Sequence, residues 1–459
     1  MEQNRDLFEK TPVAKALATL ALPTIISQLI TMIYNLADTF FIGTTDDPYK
    51  VAASSVAFVL VFAMNCLSNL FGVGGGSLIS RLLGEKRDGD AASVASFSFY
   101  GSLLISAVYS VLIFVFMEPF LRLLGATDNT IGYAVDYAFW VVVVGAVPST
   151  LGLTMSHLLR SEGYAKHSSI GLAAGGVLNI ILDPIFMFVL LEPGNEVAGA
   201  AIATLISNVA VLIYFLVIYF LIRKKTVLSI SPFKMIPKRH YITSVFAVGF
   251  PSALGSFLAC LSSIMVNKLS SGYGDIPVAA IGIVKKIDML PMNVGMGLCQ
   301  GMMPLVAYNY ASGNYKRMKA FTDAARLAGI IFAGICIVVF EIFAGPLVEI
   351  FIGDAETVAM GTRFLRIMCL AVPLMIFNFQ MSFTFQAMGM GKQSLILSSL
   401  RQGIINIPLL FLMNRLFGLD GIVWTQLVSD VLTTVISYGF YLATYKKLMK
   451  NTEQMQIKV

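Results

Sequence analysis

The feature that most constrains this chain is a succession of apolar stretches, each about 20 residues or longer, that recurs from one end to the other. A stretch of about 20 apolar residues crosses the hydrocarbon core of a bilayer as an α-helix, and no soluble core could absorb so many of them. Charge is depleted to match. Asp, Glu, Lys and Arg make up 13% of the 459 residues, against about 25% in soluble domains, and the mean hydropathy is +0.79. Most of the surface must therefore face lipid, where helices satisfy their own backbone polar groups.

Charged, Gly and Pro breaks divide the chain into twelve predicted spans, near 14–42, 51–80, 91–117, 131–159, 168–191, 197–222, 241–270, 278–310, 320–345, 360–388, 394–414 and 421–444. With a cytoplasmic N-terminus, one side receives Arg5, Lys10, Lys15, Arg81, Lys86, Arg87, Arg160, Lys166, the run from Arg223 to Arg239, Lys316, Arg317, Lys319, Lys392 and the tail lysines. The other side holds little beyond Lys50, Arg122 and Arg415, but carries Asp46, Asp47, Glu192, Glu196, Asp354 and Glu356. The positive-inside rule then predicts a multi-pass protein of the plasma (inner) membrane with both termini in the cytoplasm. The net charge of +6 is thereby a topology signal and implies no nucleic-acid partner. The first residues lack the pattern of a cleaved signal peptide, so the first span is expected to act as the insertion signal. The five cysteines all lie in apolar segments without paired spacing, and predict neither a disulfide framework nor a zinc site.

The segment 223–240 (RKKTVLSISPFKMIPKRH) is the long basic linker of the chain and divides it near the middle, into lobes 1–222 and 241–459. A shift of about 227 residues pairs landmarks across it. Leu22-Pro23 meets Phe250-Pro251, Val51-Ala-Ala53 meets Val278-Ala-Ala280, and Gly84-Glu-Lys-Arg meets Gly313-Asn-Tyr-Lys-Arg. Pro148 meets Pro373, Gly163-Tyr-Ala-Lys166 meets Gly389-Met-Gly-Lys392, Asn179 meets Asn406, and Gly199 with Ser207 meets Gly421 with Ser429. Six spans per half make the repeats parallel. The expected fold is an all-α membrane protein of twelve transmembrane helices in two parallel six-helix repeats around a central cleft, an arrangement suited to alternating access. A duplicated scaffold without transport is the alternative.

Ionisable groups within the hydrocarbon layer are costly and usually face a cavity. Asp38, Asp183, Asp288 and Asp430 lie deep in spans, and Glu341 nearer an edge. Thr31, Tyr34 and Asn35 share the helix face of Asp38, and Asn179 that of Asp183. Thr204 adds a hydroxyl in the sixth span. Two carboxylates in one dry pocket cannot both ionise without cost, so Asp38 and Asp183 could take up a proton. Alternatively, Na⁺ could use the oxygens of Asp38, Asn179, Asp183 and Thr204 as hard ligands. The coupling ion would be the only cofactor. The competing reading has these acids merely holding helices together. Pro23, in the span of Asp38, marks a helix kink that is either static or a mechanical output of protonation.

Lys285, Lys286 and Asp288 precede Pro291 in the eighth span, and form either a cavity-lining patch, with Lys285 and Asp288 neutralising each other, or a broken helix. Of 23 methionines, only Met1, Met32, Met64, Met117, Met155 and Met187 precede residue 235. Met292 and Met296, with Phe377, Asn378, Gln380 and Asp288, are candidates for substrate contact, because flexible thioethers suit promiscuous surfaces. Core or lipid-facing filler is the alternative. The run Gly72-Val-Gly-Gly-Gly76 lacks a phosphate-loop ending and reads as close helix packing. His157, His167 and His240 read as interface residues.

Leu22-Pro23 with Asn35-Leu-Ala-Asp38-Thr-Phe-Phe-Ile-Gly43 resembles the first helix of the multidrug and toxic compound extrusion (MATE) family. Arg160-Ser-Glu-Gly163, Asn179-Ile-Ile-Leu-Asp183-Pro184 and Gly199-Ala-Ala-Ile-Ala-Thr204 resemble its later motifs, and the likeness to the bacterial drug-efflux branch related to the DNA-damage-inducible type covers the whole chain. The resemblance implies an antiporter, and not an enzyme, that exports lipophilic, often cationic, compounds in exchange for H⁺ or Na⁺; a monomer is expected, though nothing in the sequence fixes the oligomeric state. It assigns the coupling role to Asp38, the polar cluster of the first lobe to Asn179, Asp183 and Thr204, and the first-helix kink to Pro23. Some members place coupling acids in the seventh and tenth helices, and here 262–270 and 364–379 contain none. Asp38 and Asp183 fall opposite Val266 and Leu410, so ion coupling is expected in the first lobe and substrate contact more in the second. Two other readings stand beside this one. A flippase for a lipid-linked substrate would want a basic cavity, whereas the deep cations are few (Lys268, Lys285, Lys286 and Arg401). A channel or receptor would need neither coupling acids nor repeated halves.

Overall fold

The computed structural model describes residues 2–45, 47–235 and 238–457. Asp46 of the acidic loop, Ile236 and Pro237 of the linker and Lys458 of the tail lie outside the described residues. A short helix, α1 (Glu2–Glu9), precedes the first six crossings. These are α2 (Val13–Gly43), α3 (Pro48–Gly84), α4 (Asp88–Leu123), the pair α5 (Ile131–Ala138) and α6 (Ala146–Ser161), α7 (Ala165–Ile185) and α8 (Glu196–Ile222). The second six are α9 (Arg239–Ser270), α10 (Asp275–Ala311), α11 (Tyr315–Glu349), the pair α12 (Ala355–Cys369) and α13 (Val372–Ala387), and the stretch α14 (Gly391–Ser399) to α15 (Asn406–Ile457).

Three of these elements need interpretation before the spans can be counted. The α5–α6 and α12–α13 pairs bend by 51° and 45° and are each one broken crossing. The last stretch is two crossings. Gly418 interrupts α15 with φ 61° and ψ −138°, and side chains bond across it as in a hairpin, Arg401 to Asp430 at 2.7 Å and Asn406 to Gln426 at 3.5 Å. A Cβ at Gly421 would lie 2.0 Å from the Met413 carbonyl oxygen, so only glycine permits this tight reversal. The twelve expected spans are all present. Helices such as α3, at 37 residues and about 55 Å, outrun the hydrocarbon layer and project beyond it.

The repeat is visible in backbone geometry. Gly163 and Gly389 take φ of 95° and 74° at equivalent turns, and each turn leads into the next helix, at Ala165 and Gly391. One sequence pairing shifts. The left-handed residue after α3 is Lys86 (φ 60°), and after α10 it is Gly313 (φ 77°). Lys86, and not Gly84, is therefore the counterpart of Gly313, and Arg87 and Asn314 sit at the matching helix starts. Glycine was a misleading anchor because only the second repeat uses it for this conformation.

The lobes meet at the Lys/Arg-rich end. A Cβ at Gly301 would lie 2.4 Å from Ala21 Cα, and at Gly297 2.7 Å from Ile25 Cα, so glycine lets α2 and α10 touch backbone to backbone. Gly74 meets Val245 and Gly249 meets Leu70 in the same way across α3 and α9. Ser77 donates to the Gln386 carbonyl at 2.6 Å. The helix α1 spans this seam. Phe8 is buried and stacks on Tyr308 at 4.8 Å, Arg317 donates to the Phe8 carbonyl at 2.7 Å, and Arg5 pairs with Asp88 at 2.8 Å. Among the described residues, no hydrogen bond or ion pair joins the lobes beyond the Asn69–Ser256 contact at 3.3 Å. The polar contacts between the bundles thus gather toward the basic end, along the interface of α2–α3 with α9–α10.

Two sequence alternatives are decided here. The helix α10 runs uninterrupted through Pro291, so the eighth span is not broken. Lys285 reaches Ser263 and Asn267 on α9, both at 3.2 Å, and is not paired with Asp288. The helix α2 is likewise continuous through Pro23. The Thr24 hydroxyl next to that proline bonds the Leu20 carbonyl at 2.7 Å, and Ser27 bonds Thr24 at 2.9 Å.

Candidate functional site

The first-lobe site forms where α2 packs on α7. Gly176 makes this possible, since a Cβ there would stand 3.0 Å from both Ile30 and Tyr34. One turn further along α7, the Asn179 amide donates to Asp183 Oδ1 at 2.9 Å and to Thr204 Oγ1 of α8 at 3.3 Å. Asp183 is 0% exposed and Asn179 2%. Asp38 faces this group from α2, near enough for its charge to act on Asp183. Tyr137 on α5 lies close enough to the Asp38 carboxyl to interact with it, and Tyr34 lies within range of both acids. Asn35 turns back on its own helix and donates to the Thr31 carbonyl at 2.8 Å. The structure thus gathers Asp38, Tyr34, Asn179, Asp183 and Thr204, while Asn35 and Thr31 support the α2 backbone beside them.

The notable property of this cluster is an excess of acceptors. Asp38 Oδ1, Asn179 Oδ1 and Asp183 Oδ2 are buried and have no hydrogen-bond donor. Buried polar atoms are almost always satisfied, so three neighbouring oxygens without donors could accept from a proton on one of the carboxyls, from water, or from a hard cation. No Lys or Arg forms an ion pair with Asp38 or Asp183 among the described residues. Asn and Thr oxygens would have to complete a cation site, because no cluster of three His, Cys, Asp or Glu side chains occurs among the described residues.

The second lobe handles its acid differently. Asp430 accepts from Arg401 Nε at 2.7 Å, from Gln426 at 2.8 Å and from the Asn378 amide at 3.3 Å. The Arg401 guanidinium also lies 4.5 Å from the Phe379 ring centroid. Asn378 Oδ1 in turn accepts from Thr434 and Ser437 at 3.3 and 3.2 Å. Asp288 is near enough to feel both Asp430 and Arg401, and among the described residues no side-chain hydrogen bond or ion pair to it is formed. Asn406 accepts from Ser262 at 2.8 Å.

Of the residues proposed for substrate contact, Met292, Met296 and Asp288 lie half-buried on α10. Asn378 is engaged with Asp430, Gln380 donates to the Thr322 carbonyl on α11, and Phe377 lies under the Arg326 guanidinium and tilted against Tyr438. These three make their polar and ring contacts within the second bundle, and Asn378 lies beside the Asp430 carboxylate that Asp288 of α10 also feels. Met302, Met303, Met375, Met381 and Met388 are buried core, so much of the methionine excess fills helix contacts. Sequence reasoning missed Tyr137, which no local motif marks. It named Arg401 and Asp430 separately without pairing them, because the pairing depends on the Gly418 hairpin.

The MatE family model matches residues 23–185 and 251–412, one match in each lobe. The multidrug export protein MepA of Staphylococcus saprophyticus is 35% identical over 425 residues, 93% of this chain and 92% of that protein. Its namesake from Staphylococcus aureus (strain MRSA252) is 33% identical over 98% of both chains. A solved outward-facing conformation of a multidrug resistance MATE family transporter shares the fold, with a TM-score of 0.91 at 23% identity over 98% of this chain and 99% of that one. This chain is a multi-pass membrane protein and belongs to the MATE family of transporters.

Proposed function

We propose that the chain exports lipophilic or cationic small molecules from the cell by antiport against H⁺ or Na⁺, with the ion loading at Asp38, Asn179, Asp183 and Thr204. The observation that carries this reading is the set of three donorless buried oxygens between two carboxylates. A proton or sodium ion supplies what they lack, and its departure leaves two unneutralised acids that favour reloading. The names of the staphylococcal relatives support small-molecule export as the task. By the positive-inside rule the closed, basic end is cytoplasmic, as are both termini, so the cleft opens outward in a plasma (inner) membrane. Substrate would enter the cleft from the α10 side, where Asp288 offers a carboxylate without a partner to a cation. The transporter acts as a monomer in this reading. A lipid-linked anionic substrate fits less well, since Arg401 is neutralised by Asp430 and Lys285 is turned onto α9. The test is uphill export of a fluorescent cation from proteoliposomes under separately imposed proton and sodium gradients. Asp38→Asn should abolish gradient-driven export. Undiminished export by that variant would refute the assignment.

A further inference from the structure

A second buried polar site lies at the closed end, far from the coupling cluster. Here α3, α6, α10 and α13 enclose a small cavity between the lobes, bordered by Ser77, Ser80, His157, Arg160, Gln300 and Phe383. Arg160 is only 4% exposed. Its guanidinium reaches Gln300 Oε1 across the seam at 2.7 Å, and Ser168 and Ser156 at 3.1 and 3.3 Å. All three partners are neutral, and Arg160 Nε has no acceptor. No carboxylate borders the cavity. Glu162, the acid nearest in sequence, is committed to the linker through Thr226 and the Val227 amide.

A buried guanidinium without a counter-charge is costly, and neutral hydrogen bonds do not cancel its charge. We propose that this cavity binds a small inorganic anion, of the size and charge of chloride, while the lobes are closed at this end. The Arg160 guanidinium supplies the counter-charge and the Gln300 amide a donor. Because α3 and α6 belong to one lobe and α10 and α13 to the other, the anion bridges the seam and stabilises the closed face. Separation of the lobes would disassemble the site and release it.

The test is thermal unfolding of the purified protein in neutral detergent, with sodium and ionic strength constant and chloride replaced stepwise by gluconate; bromide serves as a second probe. Chloride and bromide should raise the midpoint saturably, and gluconate should not. Arg160→Gln should lose the response, whereas Arg122→Gln, at an exposed position, should keep it. Should Arg160→Gln fail to fold, Gln300→Glu decides the matter. It places a carboxylate beside Arg160, and should be insensitive to chloride while at least as stable in gluconate as the wild type. Equal midpoints in chloride and gluconate would mean that water alone fills the cavity. A chloride response surviving in Gln300→Glu would place the ion elsewhere. Either result overturns the proposal, and neither bears on Asp38.

Discussion

The two lobes place a carboxamide at matched positions, Asn179 and Asn406, and surround it differently. In the first lobe Asn179 bonds Asp183 one turn along its own helix and Thr204 on the next. In the second the position of Asp183 is taken by Leu410, which is fully buried, and Asn406 bonds Gln426 and Ser262. The acid of the second lobe, Asp430, follows Gln426 by one turn and is clamped by Arg401. One arginine separates the two cases. With it, the acid is neutralised within the protein. Without it, in the coupling proposed above, the charge is met by an ion that can leave.

The sharpest way to break this comparison is to remove the arginine. Truncating one partner of a buried pair leaves the other charged and unpaired, at a cost of about 3–5 kcal/mol. Arg401→Gln should therefore lower stability by that order, read from unfolding in detergent, and adding Asp430→Asn should restore most of it. If the double variant is no better than the single, Arg401 contributes by packing on Phe379 and not by charge. The first lobe should respond in the opposite sense. Asp183→Asn removes a buried charge that has no cationic partner, so stability should hold or rise, while gradient-driven export falls by about tenfold or more, the equivalent of about 1.4 kcal/mol. A variant that exports normally but unfolds easily would show that Asp183 is structural.

The architecture was legible because it rests on repeated local signals. Apolar runs gave all twelve spans, and the paired prolines and glycines gave the duplication. The polar clusters were half legible. The Asn179–Asp183 pair follows from i,i+4 spacing on one helix, and Thr204 from a small-residue motif. Tyr137 was not legible, since its approach to Asp38 depends on how the bent α5–α6 crossing packs. Nor was the Arg401–Asp430 pair, because 29 residues and a reversal at Gly418 separate its partners. The chemistry on a single helix could be read, and of the chemistry between helices only the grouping of Asp38, Asp183 and Thr204 could.

The outer ends of the lobes carry a milder version of the same contrast, with the roles exchanged. In the first lobe Lys50 pairs with Glu196 at 2.7 Å, with side chains 9% and 14% exposed, and ties α3 to α8. In the second, Arg363 pairs with Asp420 between α12 and α15, with side chains 57% and 47% exposed. Solvent screens the second pair, so Arg363→Gln should cost well under about 1 kcal/mol. Lys50→Gln leaves Glu196 partly buried without its cation and should cost about 1 kcal/mol, a charge-assisted bond discounted for the water still in reach. The two single variants, measured by unfolding at low and high salt, put the difference to the test. The Arg363 pair should vanish in high salt, while the Lys50 pair should keep most of its effect. Equal costs, equally screened, would mean that the outer end of the first lobe is as loosely held as that of the second.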